Sequence, residues 1–165
     1  RRRWRYALAA GLLLALVAAA WHWPRTPQPA AEATAAVPVV PAESPQQVFA
    51  RLLGAASDLD PQAWRRYAEL WGLALDDDTL ARLAECSGTA AVALNCFRAN
   101  GPLTRIASLD RPVILRLRRE GGFASALLTA IDDQQVTLYL AGEAVTVPRG
   151  LLELNWLGDY RVLWR

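Results

Sequence analysis

Leu109-Asp110-Arg111-Pro112-Val113-Ile114-Leu115-Arg116-Leu117 is the stretch on which the fold turns. A polar turn with a proline opens onto an apolar run whose alternate members, Val113, Leu115 and Leu117, face one side. Residues 113–117 are therefore expected as the first central strand of a small sheet. Downstream, Phe123 to Ile131 is an uncharged run that reads as its pairing partner. Gln135 to Leu140 alternates, with Val136, Leu138 and Leu140 on one face, and Ala144 to Val147 returns after the hairpin signal Ala141-Gly142-Glu143. Leu151 to Trp156 reads as a short helical or turn segment, and Asp159 to Trp164 as the last strand. Upstream, everything before Pro112 reads as helix or linker. The expected architecture is α+β, with N-terminal helices packed on three or four antiparallel strands.

The upstream helices carry their own punctuation. Ser44-Pro45-Gln46-Gln47 has a capping serine, a proline at the first helical position and a glutamine three residues after the serine. Val48, Phe49, Leu52 and Leu53 then form an apolar stripe. Asp60-Pro61 opens a second helix, with Trp64, Tyr67, Ala68 and Trp71 at helical spacing and Gly72 as its stop. Asp76-Asp77-Asp78 resembles a run of calcium ligands, but the glycine and distal glutamate of a calcium loop are missing. An acidic helix start that favours the dipole explains it better. Leu80, Leu83 and Ala84 continue that helix to Cys86, and Leu103 to Leu109 forms a further short one.

Before these helices, residues 1–5 are a basic flank and residues 6–23 an uncharged run of Ala, Leu, Gly and Val with Tyr6 at one end and Trp21 and Trp23 at the other. Its length corresponds to about 27 Å of helix, enough for a thin bilayer. The aromatic ends fit an interfacial belt, and the arginines fit the cytoplasmic side. A cleaved signal peptide is the rival reading, weakened by two Trp and a His directly after the only Ala-rich cleavage candidate. Residues 24–47 hold six prolines and no aromatic residue, as expected of a semi-rigid spacer. Residues 48–165 remain for one domain outside the cytoplasm. The chain does not begin with Met, so it reads as a processed product or a fragment of something longer.

Charge and residue counts narrow the chemistry. Setting aside Arg1, Arg2, Arg3 and Arg5 leaves fourteen of the 18 arginines against 16 acidic residues, so the domain has no basic excess for a phosphate backbone and nucleic acid is excluded as a partner. The only histidine, His22, lies in the membrane-boundary belt, which removes every Cys-His and Ser-His-Asp mechanism dependent on a histidine of this chain. Cys86 and Cys96 have no candidate base, and two cysteines alone cannot complete a four-ligand zinc site. They read as a disulfide in an oxidising compartment, closing a short loop worth about 2–3 kcal/mol. No cofactor is expected in this segment.

Leu70-Trp71-Gly72, Cys86 and Cys96, Leu109-Asp110-Arg111-Pro112-Val113, Ala130-Ile131-Asp132, Asn155-Trp156-Leu157-Gly158-Asp159-Tyr160 and Leu163-Trp164-Arg165 occur in an order and spacing that resembles the periplasmic region of the general secretion pathway protein A family of type II secretion. The resemblance covers roughly residues 48–165. It implies a papain-like domain similar to the C39 peptidases, preceded by a transmembrane helix in the bacterial inner membrane. It also implies a B protein of the same system as partner, contact with peptidoglycan, and a part in assembling the outer-membrane secretin. Family members carry a cytoplasmic AAA+ ATPase domain before the membrane helix. No nucleotide-binding motif occurs in these 165 residues, so ATP hydrolysis is not assigned to them.

Transferred residue by residue, the C39 pattern loses its chemistry. Its nucleophilic cysteine begins a helix that corresponds here to the one around Ala63 to Tyr67, which has none. Its histidine follows a glycine after the first strand, where Gly122-Phe123 stands. Its third polar group falls near Leu140 to Glu143 and is unmatched. The expectation is a non-catalytic periplasmic module that binds a partner protein or peptidoglycan, with Trp64, Trp71, Trp156, Tyr160 and Trp164 as candidate lining, although a core role is the stronger reading for each. Arg111 and Asp159 read equally as a structural ion pair bracketing the sheet. The alternative is a cysteine peptidase or cell-wall hydrolase with an atypical site.

Overall fold

A computed structural model describes residues 42–165. The basic flank, the proposed membrane segment and residues 24–41 of the linker lie outside them. Among the described residues no helix is long and apolar enough to cross a membrane.

Three helices come first, each started by the residue the sequence marks for it. Helix α1 (Pro45–Ala55) has a closed capping box, in which the Ser44 hydroxyl accepts the Gln47 backbone N–H and the Gln47 side-chain Oε1 accepts the Ser44 N–H. Helix α2 (Pro61–Leu70) is capped by Asp60, and helix α3 (Asp77–Ala84) by Asp76, whose carboxylate accepts the Thr79 N–H. That bond holds the Asp76 carboxyl below the usual carboxylate range. The acidic run is therefore a helix start. A single 3-10 turn over Thr89–Val92 leads into strand β1 (Asn95–Asn100), followed by helix α4 (Leu103–Ala107). Then come β2 (Val113–Arg119), β3 (Gly122–Ile131), β4 (Gln135–Leu140), β5 (Glu143–Pro148), helix α5 (Arg149–Asn155) and β6 (Trp156–Trp164).

The sheet has six antiparallel strands in the order β1-β6-β2-β3-β4-β5, not three or four. β1 also overturns the expectation that everything before Pro112 is helix or linker. Asn-Cys-Phe-Arg-Ala-Asn has no apolar alternation, because its strand lies at an edge with four of its six residues exposed. Its conformation comes from pairing with β6, which inserts between β1 and β2. The run at 113–117 is central as expected, but it is second in chain order.

Both faces of β2 are buried, and this decides the layering. Val113, Leu115 and Leu117 face α1, α4 and α5, together with Val136, Leu138, Leu140, Trp156 and Tyr160. Ile114 faces the other way, into a second cluster with Leu127, Leu163 and the inner sides of α2 and α3. Shortening a fully buried leucine such as Leu115 to alanine costs about 2–5 kcal/mol. Tyr67 fastens α2 to this sheet: its hydroxyl accepts the Leu163 N–H at 2.9 Å and donates to the Pro112 carbonyl at 2.8 Å.

Two tight turns depend on left-handed backbone. Ala141 and Gly142 both have positive φ, the pattern of a two-residue type I′ hairpin, which turns β4 into β5. Gly158 has φ +95, and a Cβ there would meet the Asn100 side chain at 2.9 Å. That amide donates to the Leu157 carbonyl and to the Asp159 carboxylate, so it clamps the end of β1 to the entry of β6.

Candidate functional site

The three places where a C39 peptidase would carry its reacting groups converge around the start of α2. Asp60, only 3% exposed, places one carboxylate oxygen on the Gln62 N–H at 3.1 Å and the other on the Ala141 N–H at 2.7 Å. It thus ties the helix start to the β4–β5 turn. Ser125 in β3 reaches back to the same loop, its N–H donating to the Ser57 carbonyl and its hydroxyl to the Asp58 carbonyl. Phe123, two residues before it, lies under the Arg116 guanidinium at 3.8 Å.

Each position that would have to react is occupied by something inert. Ala63 is fully buried, Trp64 and Tyr67 on the same helix are 1% exposed, and α2 holds no cysteine, serine or threonine. An aromatic ring stands at Phe123. The third place offers a backbone N–H from Ala141, already bound. Ser125 is fully buried, and its hydroxyl is spent on a carbonyl. Cys86 and Cys96 form a disulfide, which fastens the end of α3 to β1. A sulfur in that bond is neither nucleophile nor ligand. Among the described residues no three of His, Cys, Asp and Glu are arranged so that they could hold a metal ion.

In place of a reacting group stands a charged interlock. Arg116 makes two 2.8 Å bonds to the Asp58 carboxylate. This pairing holds Asp58 below the usual carboxylate range and raises Arg116 above its ordinary value. On the neighbouring strand Arg161 is 5% exposed, with Nε and Nη1 buried and without an acceptor, as is Trp64 Nε1. Burial lowers the pKa of Arg161, and the nearby Arg98 guanidinium lowers it further.

The five aromatic residues singled out from sequence do not share one surface. Trp64 belongs to the cluster beneath α2 and α3, with Trp71 packed against it, whereas Trp156 and Tyr160 belong to the opposite face. Trp156 donates its indole N–H to the Asp159 carbonyl at 2.8 Å. Of the five, Tyr160 and Trp164 line a common groove, of about 370 Å³, which they share with Phe97 and Arg111. Arg111 makes no ion pair with Asp159. It donates to the Leu109 carbonyl, and Asp159 accepts from Asn100. Sequence reasoning missed Phe97, Arg98, Arg116 and Arg161. The last two could have been found by parity, since Arg116 lies between Leu115 and Leu117, and Arg161 between Tyr160 and Val162, so each must project from the opposite face of its strand.

The comparisons with known proteins agree with this fold. General secretion pathway protein A of Aeromonas hydrophila is 26% identical over 172 residues, which span 98% of this chain and 30% of that protein. A periplasmic domain of the EpsAB fusion protein of the Vibrio vulnificus type II secretion system superposes with a TM-score of 0.57 at 21% identity, over 67% of this chain and 48% of that one. The peptidase domain of Streptococcus ComA, a bifunctional ABC transporter of a quorum-sensing pathway, gives 0.53 at 12% identity, over 64% of this chain and 90% of that one. At these identities the two structures establish the fold alone. The family described as "GspA, peptidase C39-like domain" matches residues 55–165, two thirds of the sequence, and the chain belongs to it.

Proposed function

We infer that this domain is a non-catalytic binding module of a type II secretion assembly protein. It works in the periplasm and is held at the inner membrane by residues 6–23 through the proline-rich spacer. It binds the B protein of the same system, peptidoglycan, or both, and so assists secretin assembly. The observation that carries this reading is the convergence of three peptidase positions on groups with no nucleophile and no base: Ala63 in α2, the Phe123 ring and the bound Ala141 N–H. A peptidase scaffold kept without its chemistry retains a shaped surface, and recognition is the use such a surface can serve. Membership of the GspA family and likeness to a periplasmic domain of a type II secretion protein support the setting. The alternative, an atypical cysteine peptidase or cell-wall hydrolase, lacks a free thiol, because both sulfurs are joined.

The test is a pull-down of the chain with peptidoglycan sacculi and, separately, with the periplasmic part of the B protein. Retention on one or both is expected, unaffected by thiol-alkylating reagents. Binding to neither would overturn the reading.

A further inference from the structure

We propose that the outer edge of β1 receives an extended acidic segment of a partner protein as a seventh strand of the sheet. The proposal rests on the reading of this domain as a binding module and names the kind of partner and the place it docks.

Three observations meet at β1. The first is the edge itself. β1 pairs with β6 on one side, and among the described residues no strand pairs with the other, so every second residue turns its N–H and C=O away from the sheet. It contains no proline and no bulge, the usual protections of such an edge. The opposite edge, β5, ends in Pro148 and has α1 packed against it.

The second observation is a surplus of positive charge on one face of that edge. Arg98 lies directly opposite Arg161, an unfavourable cross-strand pairing of like charges. Arg116 stands on the same face of β2, two residues beyond the Ile114 that pairs with Arg161. Three guanidinium groups thus face two carboxylates, Asp58 and Asp159. Asp58 is committed to Arg116, and Asp159 accepts from Asn100. Arg161, only 5% exposed, keeps two nitrogens, Nε and Nη1, without an acceptor. Arg161 lies within, its guanidinium 6.0 Å from the Trp64 ring, whereas Arg98 is exposed, and an arriving carboxylate that pairs with Arg98 offsets the repulsion between the two.

The third observation lies on the other face of the same strand. Phe97, 50% exposed, meets Trp164 edge-on at 6.1 Å, and with Tyr160 they line the groove of about 370 Å³. An added strand alternates its side chains between the two faces. One set lies beside Phe97 at the rim of that groove and is apolar. The other lies beside the exposed Arg98 and carries carboxylates. Backbone pairing supplies affinity, and this alternation supplies selectivity.

The probe is a fluorescein-labelled dodecapeptide of alternating Glu and Val, titrated by anisotropy against the full 165-residue chain. Saturable binding that weakens with salt is expected, with slowed hydrogen exchange confined to residues 95–100. Arg98 and Phe97 are exposed, so their variants leave the fold intact. Arg98→Glu is expected to weaken binding at least tenfold and Phe97→Ser at least threefold, while an alternating Lys–Val peptide should not bind. Equal binding of the Lys–Val peptide, protection at β5 in place of β1, or unchanged affinity in Arg98→Glu would each overturn the proposal. So would capture of the B protein undiminished by Arg98→Glu, an outcome that leaves the binding role itself standing.

Discussion

The two edges of the sheet are built on opposite terms. At the β5 edge, side chains close the structure: Asp60 takes the Ala141 N–H of the turn, Arg51 bridges to Glu143 and Val147 is 1% exposed. At the β1 edge the strand is held near its ends, by the Cys86–Cys96 disulfide on one side and the Asn100 amide clamp on the other. Its middle, Phe97 and Arg98, is left to solvent. The closed edge is the one beside the vestigial peptidase positions. The edge beside those positions is secured by side chains, and the accessible backbone lies at the opposite edge of the sheet.

That contrast can be broken from the closed side first. Asp60→Ala removes a helix cap and leaves the part-buried Ala141 N–H unpaired, so a loss of about 3 kcal/mol is expected in urea unfolding. If the variant kept wild-type stability, the closed edge would owe nothing to Asp60. Replacing both cysteines with serine should cost about 2–3 kcal/mol and act on the other edge. Amide exchange should then quicken across residues 95–100 and stay unchanged in β4 and β5.

A third substitution acts between the edges. Tyr67→Phe strands the Leu163 N–H and the Pro112 carbonyl, an expected cost of about 2 kcal/mol. Burial pushes the Tyr67 phenol up to about 12, above its ordinary 10. Because the folded pKa is raised, the stabilisation is complete below pH 10 and is lost as pH rises through about 12. Wild-type chain should therefore lose stability over that alkaline interval, and Tyr67→Phe should lack this part of the loss.

The smallest effect concerns the interlock. The Asp58 side chain is 44% exposed, so water screens its pairing with Arg116, and Asp58→Asn should cost only about 0.5–1 kcal/mol at neutral pH. The folded pKa of Asp58 is depressed, so its contribution is present above the ordinary 3.8 and disappears as pH falls through the lowered value. Urea midpoints of wild type and Asp58→Asn should accordingly converge at strongly acid pH. A constant difference would assign the effect to packing.

What could be read from sequence was what local chemistry dictates. Ser44, Asp60 and Asp76 start helices because their side chains reach backbone N–H groups two or three residues away. The strands from Val113 to Val147 declare themselves by alternation, by the uncharged run from Phe123 to Ile131 and by the Ala141-Gly142 turn. β1 does not, because its apolar contacts are few and its partner, β6, lies some sixty residues downstream. Nor could the turns before it be marked by residue type alone, since Cys86 and Ala93 adopt positive φ without being glycine. The peptidase positions were legible as missing residues. The arginine row was not, since it exists only once the register places Arg98 against Arg161.

The place of β6 sets an order of events for the folding chain. β2, β3, β4 and β5 pair as successive hairpins and need only their neighbours, whereas β1 has no partner until β6, the last described element, is available. A chain that emerges from its beginning exposes Cys86 and Cys96 while the segment between them is still without a sheet to join. The disulfide can therefore close before the strand it anchors exists, and the meander becomes protected ahead of both β1 and β6. Pulse-labelled hydrogen exchange during refolding should record residues 113–148 first and residues 95–100 together with 156–164 afterwards. Simultaneous protection of all six strands would exclude that sequence.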